Sequence, residues 1–305
     1  MTELRIVSLL PSATEIICAL GLERQLVAVT HECDYPAAVL RKPHITRSRL
    51  PLNLSSHDID LAVRSQLDSD AHSLYSIDRQ LLAELGPDLI ITQKLCEVCA
   101  VSYDEVLEAV RSLPRQPVVM NLEPMSLAEV LSDIERVGEV AGHPDRAREL
   151  VASLQRRVDA VTSAVGEATS VPRVGFLEWI DPLFCAGHWN PELIALAGGV
   201  DGLGRLHQPS VRIEWEKVVA FAPEVLLISC CGFSAERASQ DLAVLEAMPG
   251  FGNLPCVRSG RIHVVDGAAY FSRPGPRLVD SLELLAHLVH PEVFQATPVA
   301  PEISR

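Results

Sequence analysis

Cys96-Glu97-Val98-Cys99 stands between an apolar run that ends at Thr92 and a helix start at Ser102, with Glu105 three residues further on. A C-x-x-C ahead of a helix has three readings. The helix dipole lowers a thiol pKa and makes a nucleophile. Alternatively the pair is half of a zinc site, with His31 and Cys33 completing it. The third reading is a pair of buried or cleft-lining thiols. Cys185-Ala186-Gly187-His188-Trp189 puts a cysteine and a histidine three apart in a glycine-containing loop. In Ser229-Cys230-Cys231-Gly232-Phe233 the adjacent cysteines point opposite ways on a strand, so at most one of them faces a ligand. Asp104, Glu105, Glu214 and Glu216 are acids at helix starts, where the dipole favours them. His31, His44 and His57 are too widely spaced for a helical metal pair, and the glycine-rich stretch 198–204 ends a helix rather than cradling a phosphate.

The elements that must position these residues alternate. Strands are predicted near 5–10, 26–30, 88–92 and 117–121, with helices at 13–20, 57–67, 76–85 and 102–112. Strand–helix alternation implies a mostly parallel sheet covered on both faces, with ligands at the carboxyl ends of its strands. Ser12, after the first strand, and His31, Glu32 and Cys33, after the second, fall at such ends. Ser126 and Glu129 form a capping box that opens a helix to about 141. From Asp145 the apolar residues Ala147, Leu150, Val151, Leu154, Val158 and Val161 make one stripe on an otherwise charged helix. The same alternation then restarts. Strands are predicted at 173–178, 225–229 and 261–265, and helices at 191–197, 215–221, 238–247 and 276–290.

Composition narrows the function. A formal net charge of -14 argues against nucleic acid, whose phosphates need a basic face. No apolar run is long enough to insert in a membrane. Met1-Thr2-Glu3-Leu4-Arg5 is not a signal-peptide start, so the sequence as it stands reads as cytoplasmic, with thiols rather than disulfides. A different start codon would make it periplasmic or cell-surface.

In order along the chain, Ile6-Val7-Ser8-Leu9-Leu10-Pro11-Ser12-Ala13-Thr14-Glu15, the segment Gly21-Leu22 to Asp34-Tyr35-Pro36, Pro87-Asp88-Leu89-Ile90-Ile91 and Phe271-Ser272-Arg273-Pro274-Gly275-Pro276-Arg277 form a pattern. It resembles the substrate-binding proteins of ABC importers for vitamin B12 and ferric siderophores, and most nearly an unexported cobalamin-binding branch. The resemblance implies an α/β fold of two Rossmann-like lobes with mostly parallel sheets, joined by a single long rigid helix, with a ligand cleft between them. On this reading residues 1–125 are the first lobe, 126–168 the helical connection with its spine at 145–165, 169–290 the second lobe and 291–305 a loosely held tail.

The implied activity is non-catalytic binding of cobalamin or a related corrinoid or metal chelate, with no catalytic cofactor. The expected ligand-binding residues are Ser12, His31, Glu32, Cys33, Gln93, Cys96, Phe184, His188, Trp189, Cys231 and Arg273. Arg273 falls where cobalamin-binding members bond the corrinoid and Phe184 at an aromatic cleft position, whereas Glu32 and Ser48 replace stacking aromatics. An ABC permease is the implied partner of a monomer. Glu216 matches one acidic docking position, and the other falls on Gln80 with Asp78 nearby. The alternatives are a metal- or thiol-dependent protein using His31, Cys33, Cys96 and Cys99, and an interaction module without a ligand.

Overall fold

A computed structural model of the chain describes residues 3–51, 54–67, 74–94, 101–294 and 302–304. They divide into two compact units, Met1–Pro124 with Leu131–Val151, and Met125–Val130 with Ala152–Arg305.

The first unit is built on four parallel strands, β1 (Ile6–Ser8), β2 (Leu26–Ala28), β5 (Leu89–Thr92) and β6 (Val118–Asn121), in the order β2-β1-β5-β6. Apolar side chains on both faces of β1 and β5 let these central strands be covered on both sides. Pro11 opens helix α1 (Pro11–Ala19), since its missing N–H is one that no helix start can pair. The chain goes from β1 to β2 on one side, then crosses to β5 on the other. The loops after β1 and β5 therefore diverge, which is the geometry of a ligand crevice in open sheets.

A helix from 76 is not what forms. Residues Tyr75–Ile77 are strand β4, antiparallel to β3 (Thr46–Ser48), with Ser48 opposite Tyr75. Asp78 then caps α3 (Arg79–Leu85) by accepting the Leu81 N–H at 2.9 Å. Between them in sequence lies α2 (Ser56–Leu67), and after β5 comes α4 (Tyr103–Arg111), capped by Ser102.

Helices α5 (Leu127–Val140) and α6 (Pro144–Val165) both pass from one unit into the other, α6 at Val151–Ala152. Of the stripe expected on α6, Ala147, Leu154, Val158 and Val161 are buried, while Leu150 and Val151 are half-buried. On the first unit's side Arg146 donates to the Leu20 carbonyl at 3.2 Å. On the second unit's side Arg157 makes a fork to Glu283, at 2.8 and 2.7 Å, and a further bond to Asp280. Such bidentate pairs fix geometry as well as charge.

The second unit carries β7 (Val174–Trp179), β8 (Phe184–Cys185), β9 (Val225–Ile228), β10 (Ile262–Val265) and β11 (Glu302–Ser304) in the order β11-β10-β9-β7-β8. Strands β7, β9 and β10 are parallel and the two edge strands antiparallel. The end of the expected tail thus supplies an edge strand. Helices α7 (Asn190–Leu196) and α8 (Trp215–Phe221) precede β9. The helix expected over 238–247 is two, α9 (Ala235–Ser239) and α10 (Leu242–Glu246), because Ser234 caps an earlier start by accepting the Arg237 N–H. A single turn, α11 (Pro255–Arg258), precedes β10, and α12 (Leu278–Val289) follows it.

Gly138 on α5 faces Ala147 on α6, where an added Cβ would lie 2.3 Å from the Ala147 Cβ. Gly138→Ala gains about 1 kcal/mol of helix propensity but forces the helices apart at a cost of about 1–3 kcal/mol. The net effect expected is a lower urea midpoint, and a higher one would contradict this packing.

Candidate functional site

In the first unit the strand ends are knitted together by hydroxyls. The Thr14 hydroxyl donates to Ser8 Oγ at 2.8 Å, and both Thr14 and Thr30 hydroxyls contact the Cys33 sulfur at 3.1 and 3.2 Å. Cys33, 1% exposed, therefore fastens the loop after β2 to α1 rather than presenting a thiol. Ser12 is equally buried and Gln93 nearly so, directly after β5.

His31 is positioned by the β3–β4 ribbon. Thr46 Oγ1 accepts its backbone N–H at 3.2 Å and lies 2.8 Å from its Nδ1, and its ring is 5.4 Å from that of Tyr75. Its Nε2 is buried against Glu32 Oε1 at 3.2 Å, without the alignment of a hydrogen bond. Glu32 itself is exposed. Cys96 and Cys99 lie outside the described residues. Among the described residues no group of three or more His, Cys, Asp or Glu side chains converges to hold a metal.

The second unit gathers more. Glu178, near the end of β7, accepts the Gly187 N–H at 2.9 Å and the Asn190 side-chain amide at 2.8 Å through one oxygen, and the Ser210 hydroxyl through the other. Burial raises its carboxyl above the ordinary carboxylate range, outweighing those three donors, which lower it. The carboxylate thereby anchors the loop that holds His188, whose backbone has φ 53. Burial lowers the His188 pKa, which favours the neutral imidazole. Trp189, expected in contact with ligand, is only 4% exposed, and its indole N–H donates to the Phe271 carbonyl at 2.7 Å. That bond brings Trp189 to the loop of Arg273, itself 8% exposed. Phe184 is half-buried, with the Arg212 guanidinium 5.7 Å from its ring centre.

The paired cysteines lie in the turn beyond β9 rather than on the strand, so strand alternation does not apply to them; Cys230 is buried and Cys231 exposed. Beside Cys231 is a cluster not foreseen from the sequence. The Trp179 and Phe233 rings meet at 4.7 Å, and the Arg237 guanidinium lies 4.3 Å over Phe233. Trp179 closes β7 and Phe233 lies just beyond β9, so both stand at the carboxyl ends of parallel strands. Trp179 directly after one predicted strand and Phe233 in the glycine-containing turn after another are the signal that would have found them.

A model of the periplasmic binding protein family matches residues 6–269. The chain belongs to that family. It is similar to the vitamin B12-binding protein of Yersinia pseudotuberculosis serotype O:3, at 24% identity over 228 residues, which cover 74% of this chain and 69% of the relative. Among solved structures it resembles a periplasmic heme-binding protein of Pseudomonas aeruginosa (TM-score 0.75, 20% identity, 100% of this chain and 99% of that one). The periplasmic vitamin B12-binding protein of Vibrio cholerae aligns with TM-score 0.67 at 21% identity, over 96% and 98% of the two chains. A periplasmic binding protein holds its solute without transforming it, so this chain is not an enzyme. Among the described residues no helix is long and apolar enough to cross a membrane.

The thiols agree with a binding role. Burial pushes Cys18 and Cys230 up to about 12 and Cys256 up to about 11, and raises Cys185 as well, so none of the four is poised as a thiolate. Maleimide labelling at neutral pH is expected to modify Cys231 first among the six described cysteines, and prompt labelling of Cys230 would contradict this.

Glu178 supplies a pH test. Its folded pKa is raised, so the folded state binds the proton more tightly than the unfolded chain, whose carboxyl titrates near ~4.3. Relative to Glu178→Gln, the wild type should lose stability as pH rises from that value through the raised one. Urea unfolding of both proteins across this range checks it, and a wild-type advantage that grows with pH would contradict the assignment.

Proposed function

We propose that the protein binds cobalamin or a related corrinoid and passes it unchanged to an ABC-type permease. The observation that carries this reading is the aromatic–cation cluster of Trp179, Phe233 and Arg237. A conjugated macrocycle offers a broad face that aromatic rings match through area and ring contact. Within the second unit the further proposed contacts are Phe184, His188, Cys231 and Arg273; within the first, taken by itself, they are His31 and Glu32. The curated relatives named vitamin B12-binding proteins support the corrinoid class.

Heme is the competing ligand, since structural relatives are named as heme-binding. A heme iron depends on an axial donor from its protein. His31 Nε2 is turned to Glu32 and buried, which takes one donor away from an iron, and His188 and Cys231 are the donors left for heme. Asp78, Gln80 and Glu216, exposed at the starts of α3 and α8, are the proposed permease contacts.

Calorimetric titration with cyanocobalamin, dicyanocobinamide and hemin separates the classes. Saturable binding of one corrinoid per chain is expected. Trp179→Ala should weaken it by on the order of 1–2 kcal/mol, about five- to thirty-fold. Saturation by hemin with flat traces for every corrinoid would overturn the reading.

A further inference from the structure

We propose that Trp189 is a positioning residue whose indole N–H holds the loop after β10 in the strained turn that carries Arg273. The proposal rests on the corrinoid reading for the role of Arg273. Phe271 has φ 64, a conformation that a bulky side chain adopts only when its surroundings impose it. Three contacts impose it here. Its carbonyl accepts the Trp189 indole N–H at 2.7 Å, its own N–H is accepted by Ser281 Oγ on α12 at 3.2 Å, and its ring meets Phe176 edge-on at 5.2 Å.

The turn has consequences on both sides. The Ser272 N–H bonds back to the Tyr270 carbonyl at 2.7 Å and the Gly275 N–H to the Arg273 carbonyl at 2.9 Å, so the chain reverses twice around Arg273. Trp189 is itself anchored, because the residues flanking its loop, Gly187 and Asn190, are both held by Glu178. Glu178 at the end of β7 thus holds the short segment that carries Trp189, and Trp189 in turn holds the loop after β10. A tryptophan that merely filled the core would be replaced by phenylalanine with little consequence for that loop. A donor that holds the turn would not, since its loss leaves a buried carbonyl without a partner.

Hydrogen exchange of Trp189→Phe, read by mass spectrometry, tests the positioning without any ligand. Residues 266–277 should exchange about tenfold faster than in the wild type while α12 and β9 keep their rates. Unchanged exchange there, or equal acceleration throughout the unit, overturns the proposal. For the link to Arg273, dicyanocobinamide affinity should fall about tenfold in Trp189→Phe, and the double variant with Arg273→Ala should lose less than the two single losses combined. Faster exchange with unchanged affinity, or fully additive losses, overturns that link. A wild-type protein that binds no corrinoid sinks the corrinoid reading, while the exchange result still decides the positioning.

Discussion

Parallel pairing of β7, β9 and β10 is the constraint on which the second unit depends. Parallel neighbours need long crossovers, so their carboxyl ends come from segments far apart in sequence and meet along one edge. Trp179, the 229–233 turn and the 266–277 loop are neighbours for that reason alone. Trp179 is the last residue of β7, in register with Phe184, and the turn and the loop continue past the strand ends, where the chain has more freedom than within the strands. The price of that freedom is that every loop needs its own restraint, and side-chain hydrogen bonds supply it: Glu178 to Gly187 and Asn190, Trp189 to Phe271, Ser281 to Phe271.

The first unit solves the same problem with neutral groups. Thr14 and Thr30 close around Cys33, with Thr14 also bonded to Ser8, and Thr46 holds His31 from a separate two-stranded ribbon. The hydroxyls satisfy buried polar atoms without placing a charge in the interior, which would be costly unless paired. Among the residues singled out there, the surface left for a partner is Glu32 and part of His31 rather than the cysteine beside them. Polar residues at strand ends therefore divide into those that tie loops and those that face outward, and sequence position alone does not separate the two.

Much of the fold is legible in the chain because apolar runs and caps act locally. Leu89–Thr92 reads as a buried strand from its composition, Gly86 and Pro87 stop the helix before it, and the stripe on α6 follows helical spacing. What was not legible depends on distant pairing. Tyr75–Ile77 and Thr46–Ser48 are polar and short, and become strands only because they face each other. Glu302–Ser304 becomes one only because β10 leaves an edge open. At the site, the burial of Trp189 followed from a carbonyl 82 residues away, which no local pattern encodes. Trp179 and Phe233 each lie near the end of a predicted strand, but the contact between their tilted rings is a product of the parallel register.

The three tryptophan indoles offer the most direct test, because each N–H bonds to a different carbonyl: Trp179 to Asp181, Trp189 to Phe271 and Trp215 to Pro249. In indole-selective 15N–1H spectra, addition of dicyanocobinamide should shift or broaden the Trp179 resonance and leave that of Trp215, packed against Phe251, in place. A spectrum in which Trp179 does not respond to a corrinoid that the protein demonstrably binds would contradict the placement of the ligand on the Trp179–Phe233 face.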